Sequence, residues 1–478
     1  MGSGDSRVGW CRSVTGEGPN LAGAGLEPVA TVPAERHPDR LPPAWRGALR
    51  RREAVGPVSI RSLAAVFLIL LILSLAINSL LLARFPGLGP TDALDYADAL
   101  DRALDGEAAH SADTIGADTA AVLRERGILF YGSQWEPQDM PEENQVRPGA
   151  VPARAYVHPP TYFFLTAAGI ESAQLVAPDL DWHATGRMLG AVWAAVGGLL
   201  LVWLAMIWRV PAWPAASVAA WLAVSPQSVV NTAFITPSAA TALVSAAVLL
   251  GVSLWWQRRV PWWALVPVGA LTVAFKSNNI VVALLGLAAI AVISLVGRAG
   301  WREPVAAGLA LLGGTGLATV IWRLWADPVT FAYDQDPLTQ PASLEGFGTW
   351  LLTPLGLGRD VSMLRTNLLP QHDLVICSAL LLMAMMVVAT LWTLIRSGGG
   401  SIGRAAGVVA LIALSGTGVA FAALSIARTG VMLPAVGRYV FPGIAFAIWP
   451  LLLIAGKRWV WLTATAATLL SISGWLLS

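Results

Sequence analysis

The chain is 478 residues long, with 56% apolar residues, only 13% charged ones and a mean hydropathy of +0.63. A soluble fold of this size needs more charged surface, so the composition excludes a soluble globular enzyme and indicates a polytopic membrane protein. The net charge of +2 excludes little, because acidic and basic residues are segregated along the chain.

Residues 1–58 are rich in Gly, Pro, Ala and Arg and have no apolar period, so they read as a disordered tail. A signal peptide would place its apolar core near the start, whereas here that core begins near Ser62 and is too long. The first predicted span covers 60–83, long enough to cross a bilayer with some tilt. It follows Arg36, Arg40, Arg46, Arg50, Arg51, Arg52 and Arg61, which hold the N-terminus in the cytoplasm by the positive-inside rule. The stretch from 84 to 158 is then outside. It is acidic, with thirteen Asp and Glu against six Arg.

Directly after the first span comes GPTDALDYADALDRALDG (89–106). Positions 91–105 predict a helix with Thr91 or Asp92 as N-cap and an apolar stripe of Leu94, Ala97, Leu100 and Leu104. The aspartates at 92, 95, 98 and 101 recur every three residues. That spacing drifts around the 3.6-residue turn, so they do not converge on one point. Asp98, Asp101 and Asp105 read as a solvated face. Asp92, at the membrane exit and the helix start, stands apart.

Further apolar runs lie at 186–208, 213–231, 236–256, 261–275, 278–297, 304–325, 373–395, 404–425, 439–456 and 458–476. The run 161–177 is short and carries Glu171 and Gln174. If it crossed, the basic connections at 255–260, 297–303, 396–404 and 456–459 would all lie outside. The positive-inside rule favours the alternative, a helix lying along the outer surface. The expectation is an all-α integral membrane protein of eleven spans, N-terminus cytoplasmic and C-terminus extracytoplasmic. Five segments then face outward together: 84–185, 231–238, 275–279, 326–372 and 426–439. Most polar residues of interest fall in them.

Within the second large outer loop, 326–372, Asp334 and Asp336 form an Asp-x-Asp pair that could hold a divalent cation, although a lone pair in a wet loop is usually only solvated. The apolar stretch GFGTWLLTPLGLG (346–358) could dip back into the outer interface. Cys11 and Cys377 are too far apart in character to form a disulfide framework. Neither a Gly-rich phosphate loop, a Ser-His-Asp set, a zinc spacing nor a nucleic-acid module is visible. No nucleic-acid partner is expected, and the arginine tail is explained by topology and contact with membrane lipids.

The block YVHPPTYFFL (156–165) resembles the His-Pro-Pro-Leu-Tyr-Tyr block of GT-C glycosyltransferases, multi-spanning enzymes that use lipid-phosphate-linked sugars. The chain is more specifically similar to a bacterial family of GT-C-like membrane proteins. These share an acidic motif after the first span, the His-Pro-Pro block, an Arg opening the next span, and a late Gly-Arg-Tyr block. The counterparts are Asp92 in PTDALDYA, His158-Pro159-Pro160, Arg187 in ATGRMLGAV, and Gly437-Arg438-Tyr439 in GRYVFPGIA. The likeness is scattered from residue 60 onward. It departs from the family where Glu and His usually follow the first Asp; here Ala93, Leu94, Asp95 and Tyr96 follow.

The resemblance implies a GT-C-like fold. The implied activity is transfer of a sugar, with inversion, from a polyprenyl-phosphate donor to a glycan or lipid acceptor at the outer face of the plasma membrane. Asp92 would be the catalytic base, with Asp95 in reserve. Expelling a phosphate at the interface calls for cations at that depth, and Arg438 and Lys276 sit at outward span ends; either could instead snorkel. His158 could bind a phosphate oxygen or acceptor hydroxyl, or merely start a helix. Arg187 could bind substrate or pair with Asp179, Asp181 or Asp92. Tyr439 could contact substrate or serve as an interfacial aromatic. A flippase for lipid-linked glycans and a non-catalytic lipid-binding protein are the competing expectations.

Overall fold

The computed structural model describes residues 60–89, 92–110, 113–130, 133–135, 155–297, 300–325, 343–353, 364, 369, 371–397, 402–432 and 437–478. Residues 1–58, Asp334 and Asp336 lie outside the described residues.

The architecture is all-α and membrane-like. Among the described residues nine helices are long and apolar enough to cross a bilayer. The first, α1 (Ile60–Arg84), is followed by α2 (Ala93–Leu104), α3 (Ala117–Arg126), a two-stranded hairpin (Ile128–Phe130 with Ser133–Trp135) and α4 (Thr161–Gln174). Next come α5 (Trp182–Ile207), α6 (Ala212–Ala223), α7 (Pro226–Thr232) and α8 (Pro237–Trp256). They lead to α9 (Trp262–Ala274), α10 (Ser277–Gly297), α11 (Arg302–Trp325) and α12 (Leu344–Leu352). The chain closes with α13 (Asp373–Arg396), α14 (Ile402–Thr429), α15 (Gly437–Ile454) and α16 (Arg458–Leu477). Two further apolar helices, α6 and α9, are shorter than those nine.

Two expectations need correction or refinement. The run 213–231 is not one helix: Ser225 is extended (φ −67°, ψ 146°) and Pro226 opens a separate helix, since its ring cannot continue the preceding turn. The run 161–177 forms the 14-residue α4, about 21 Å long against a hydrocarbon core of about 30 Å. Its flanks, His158 before it and Arg187 after it, both lie at the bundle end where α1 closes, so the helix starts and finishes on one side. Tyr162, Phe163, Thr166, Ala167 and Ile170 face the protein, whereas Leu165, Leu175 and Val176 are exposed.

The ends of the bundle differ in charge. Arg84, closing α1, donates to the carbonyls of Trp475 and Leu476 at 2.8 and 2.7 Å, so the C-terminal ends of the first and last long helices meet. The start of α13 joins them through the His372 amide and the Ser478 hydroxyl at 2.7 Å. At the other end Gln257 reaches the Ile207 carbonyl (3.1 Å) and Arg258 pairs with Glu303 (3.1 Å). That end also carries Arg209, Arg259, Arg302, Arg404 and Arg458. Ile60 and Ser478 therefore lie at opposite ends.

Without a hydrophobic drive between helices in lipid, close backbone approach and satisfied polar seams hold the bundle. The Trp221 indole donates to the Ser378 hydroxyl (2.8 Å), which Ser471 also reaches (2.7 Å), and Ser378 donates to the Ala467 carbonyl (2.9 Å). This seam ties α6, α13 and α16. Helices α9 and α11 approach even more closely. A Cβ at Gly269 would overlap the Leu311 carbonyl, and one at Gly314 the Val266 carbonyl. Gly269→Ala and Gly314→Ala are each expected to cost about 1–3 kcal/mol by forced separation. Thermal unfolding in detergent would register both, with Gly313→Ala, where the space is open, as the silent control.

Candidate functional site

The site is assembled by the segment that leaves α1. Residues 85–89 are fixed from two sides. The Leu88 amide donates to the Gly127 carbonyl (3.0 Å) and the Leu129 amide to that of Leu88 (2.9 Å). From the bundle side, Arg187 donates to the carbonyls of Phe85 (2.6 Å), Gly87 (3.0 Å) and Ala233 (2.9 Å), with its guanidinium 4.5 Å from the Phe234 ring centre. Arg187 is 1% exposed. It therefore pairs with backbone carbonyls in place of the carboxylates considered from sequence, and Asp181 is taken by Arg126 (3.0 Å).

This clamp delivers Asp92 as the N-cap residue of α2. Arg438, at the start of α15, donates to the Asp92 carboxylate at 2.8 Å. Its other terminal nitrogen donates to the Tyr439 hydroxyl (3.1 Å), and its guanidinium lies 5.0 Å from that ring. Tyr439 stacks on Phe421 (4.3 Å between centroids, 11° between planes), with Trp350 of α12 beside them. The Tyr96 hydroxyl, one helical turn from Asp92, lies 3.2 Å from the Asp92 carboxylate and 3.1 Å from His158 Nε2. Ser277 holds the other face of that ring, 3.4 Å from Nδ1. Lys276 is buried and donates to the Ser238 hydroxyl.

Asp92, His158, Lys276, Arg438 and Tyr439, far apart in the chain, thus meet at the bundle end opposite the arginine-rich connections. Asp95 lies on the first turn of α2, half-buried, while the contacts to Arg438 and Tyr96 are made by Asp92. Arg187 stands behind the cluster as its support. Sequence reasoning missed Tyr96, Ser238 and Ser277. Tyr96 was within reach of it, because positions i and i+4 share a helix face.

The electrostatics follow from the mixture. Burial pushes the Asp92 carboxyl up, but the charges of Arg438, Lys276 and His158 and the Tyr96 hydroxyl outweigh it, so it is held below the usual carboxylate range. Burial, reinforced by the Asp92 charge, pushes the Tyr96 phenol well above its ordinary range. The carboxylate remains accessible: 45% of the Asp92 side-chain surface is open, against 20% for Arg438. Lys276, 3% exposed, lies behind them.

Comparison of the chain with protein-family models, with curated proteins and with solved structures yields no match.

The remaining aspartates divide differently from expectation. Asp98 is not on a solvated face; it is 1% exposed. It accepts from Arg102 Nε (2.9 Å) and the Gly116 amide (2.6 Å), pinning the 113–116 segment to α2. The i+3 drift turned it inward. Asp101 is half-buried, and burial with the nearby Asp118, Asp98 and Asp105 charges pushes its carboxyl up to about 6. A raised folded-state value means its ionised form costs stability above about pH 6 and that this cost fades as pH falls toward 4. Asp101→Asn is expected to raise the melting temperature at pH 7.5 by roughly 1–2 °C, an effect that shrinks to about a third at pH 4.5 and disappears below pH 4. Among the described residues no group of three His, Cys, Asp or Glu side chains gathers to hold a metal ion.

Proposed function

We propose that this chain is a membrane glycosyltransferase of GT-C type, moving a sugar from a polyprenyl-phosphate donor to a glycan or lipid acceptor outside the plasma membrane. In this reading α6 and α9 cross as well, making eleven spans. The arginine-rich end is cytoplasmic by the positive-inside rule, which leaves the Asp92 cluster and the C-terminus outside. The observation that carries the reading is the Asp92–Arg438 pair, 2.8 Å apart with Lys276, His158 and Tyr96 around it. It provides one carboxylate able to act as a base, set among cations able to take a leaving phosphate.

Asp92 removes the proton of the acceptor hydroxyl as its oxygen attacks the anomeric carbon from the face opposite the phosphate. The carbon–oxygen bond to the carrier breaks, and the departing phosphate keeps the electron pair. Arg438 and Lys276 take up its charge. One displacement inverts the anomeric centre.

The test uses the full chain in lipid nanodiscs with a panel of polyprenyl-phosphate-linked hexoses and pentoses and short saccharide acceptors. Release of free polyprenyl phosphate is the expected result, matched by the lipid-linked intermediate that accumulates in a deletion strain. Donor binding without release from any panel member would replace the enzyme with a lipid-binding protein. Movement of intact lipid-linked sugar between leaflets would replace it with a flippase.

A further inference from the structure

Arg438 enters the site on a side chain with several rotatable bonds, so its strength as an anion ligand depends on how much of that freedom is removed beforehand. Both terminal nitrogens are engaged. One donates to Asp92 at 2.8 Å and the other to the Tyr439 hydroxyl at 3.1 Å. The two holds respond differently to an arriving phosphate. Its oxygens compete with the Asp92 carboxylate for the first nitrogen, whereas the neutral Tyr439 hydroxyl can keep the second. The place of Arg438 in a loaded site is thus tied to the place of the Tyr439 ring.

That ring is itself held by two others. Phe421 of α14 lies nearly parallel to it, with 4.3 Å between centroids and 11° between planes, and Trp350 of α12 is 6.3 Å away. Trp350 and Phe421 also meet each other at 5.2 Å. The three rings close a triangle between α12, α14 and α15. Phe421 is 6% exposed and Trp350 1%, so neither offers a surface to substrate, and their influence on it passes through Tyr439.

The backbone is shaped to admit this triangle. A Cβ at Gly418, one turn before Phe421, would overlap the Trp350 carbonyl, so α12 reaches the other rings only because α14 carries a glycine there. The start of α12 is fixed as well, where the Ser343 hydroxyl accepts from the Gly346 amide at 3.0 Å. Aliphatic side chains would bury the Tyr439 ring equally well but would leave its plane free to tilt. Flat neighbours set the plane.

We propose that Phe421 and Trp350 are positioning residues for Arg438: the aromatic triangle sets the plane of Tyr439, and Tyr439 holds the guanidinium where the donor phosphate binds. The proposal rests on the reading of Arg438 as a phosphate-binding cation. It gives α12, from the long segment between α11 and α13, a part in donor recognition without contact with the donor.

The full chain in detergent micelles is titrated with a polyprenyl phosphate and with the uncharged polyprenol of the same length. The ratio of the two dissociation constants is the phosphate preference. Phe421→Leu and Trp350→Leu keep apolar bulk and remove a ring. Each is expected to lower the preference about threefold to tenfold, with polyprenol affinity within about twofold of wild type. Phe421→Tyr retains the ring and should retain the preference. Gly418→Ala, which pushes α12 off α14, should lower it as the leucine variants do.

An unchanged preference in either leucine variant overturns the role of that residue. An equal loss of both ligands overturns it too, because a loosened fold weakens phosphate and alcohol alike. So does a loss in Phe421→Tyr as large as that in Phe421→Leu, since the ring would then not matter. Arg438→Leu separates the two levels and is expected to abolish the preference. A preference that survives Arg438→Leu, or is absent from the wild type, removes the reading of Arg438 and the positioning role with it. Abolition in Arg438→Leu beside unchanged ring variants removes the positioning role alone.

Discussion

Asp92→Asn is expected to reduce sugar transfer by about 10²–10⁴-fold, the range that a positioned general base contributes. The fall should appear in kcat. The KM for the donor should stay level or decrease, because the substitution frees Arg438 from the carboxylate it holds at 2.8 Å. The wild-type profile of kcat/KM carries the same information along another axis. A base must be ionised, and activity is lost as pH falls through its folded-state pKa. Burial works against ionisation at Asp92, yet Arg438, Lys276, His158 and Tyr96 together hold the group below the usual value of 3.8. The acid limb is therefore expected below that value, with a flat rate through pH 5 where an ordinary aspartate would also be ionised. Turnover of Asp92→Asn within threefold of wild type would remove Asp92 from the chemistry.

Arg187→Leu is expected to cost about 3–5 kcal/mol of stability, seen as a fall in melting temperature of roughly 3–6 °C. The leucine fills most of the volume but strands the carbonyls of Phe85, Gly87 and Ala233, which the guanidinium now satisfies from one buried point. Arg187→Lys should be nearly as damaging. An ammonium is a single point charge and cannot span three acceptors held in different directions while also covering the Phe234 ring, as the guanidinium does at 4.5 Å. A substrate-binding arginine would behave in the opposite way, losing donor affinity while the melting temperature held. A wild-type melting curve for Arg187→Leu would thus contradict the supporting role.

Helix existence was legible in the sequence because long apolar runs have one solution in a bilayer, where every backbone group must find its partner within the segment. The break at Ser225–Pro226 was less legible. The run 213–231 is apolar throughout, and only the proline marks the point where α6 ends and α7 begins. Residues from distant stretches such as Asp92 and Arg438 could be placed at one end by parity, but parity gives no distances. The contact between them depends on the Arg187 clamp, whose three backbone acceptors no local pattern encodes. Asp98 illustrates the reverse error. A three-residue repeat of aspartates reads as a wet face, yet the helix rotates one of them beneath the 113–116 segment, where Arg102 and a backbone amide neutralise it. Tyr96 was hidden by its ordinary character, since an aromatic at helical spacing usually packs and nothing more.

The clasp between Arg84 and the carbonyls of Trp475 and Leu476 links residues 391 and 392 positions apart. During biogenesis α1 enters the bilayer long before α16 has been synthesised, so the guanidinium must wait, hydrated at the surface, until Trp475 and Leu476 follow. A nascent chain arrested before Trp475 leaves the seam between the earliest and latest helices unsealed, inviting quality-control proteolysis at the membrane. A fusion tag appended to Ser478, whose hydroxyl meets the His372 amide at 2.7 Å, would press on the same closure, and a position ahead of Ile60, at the opposite end of the bundle, is the safer place for it.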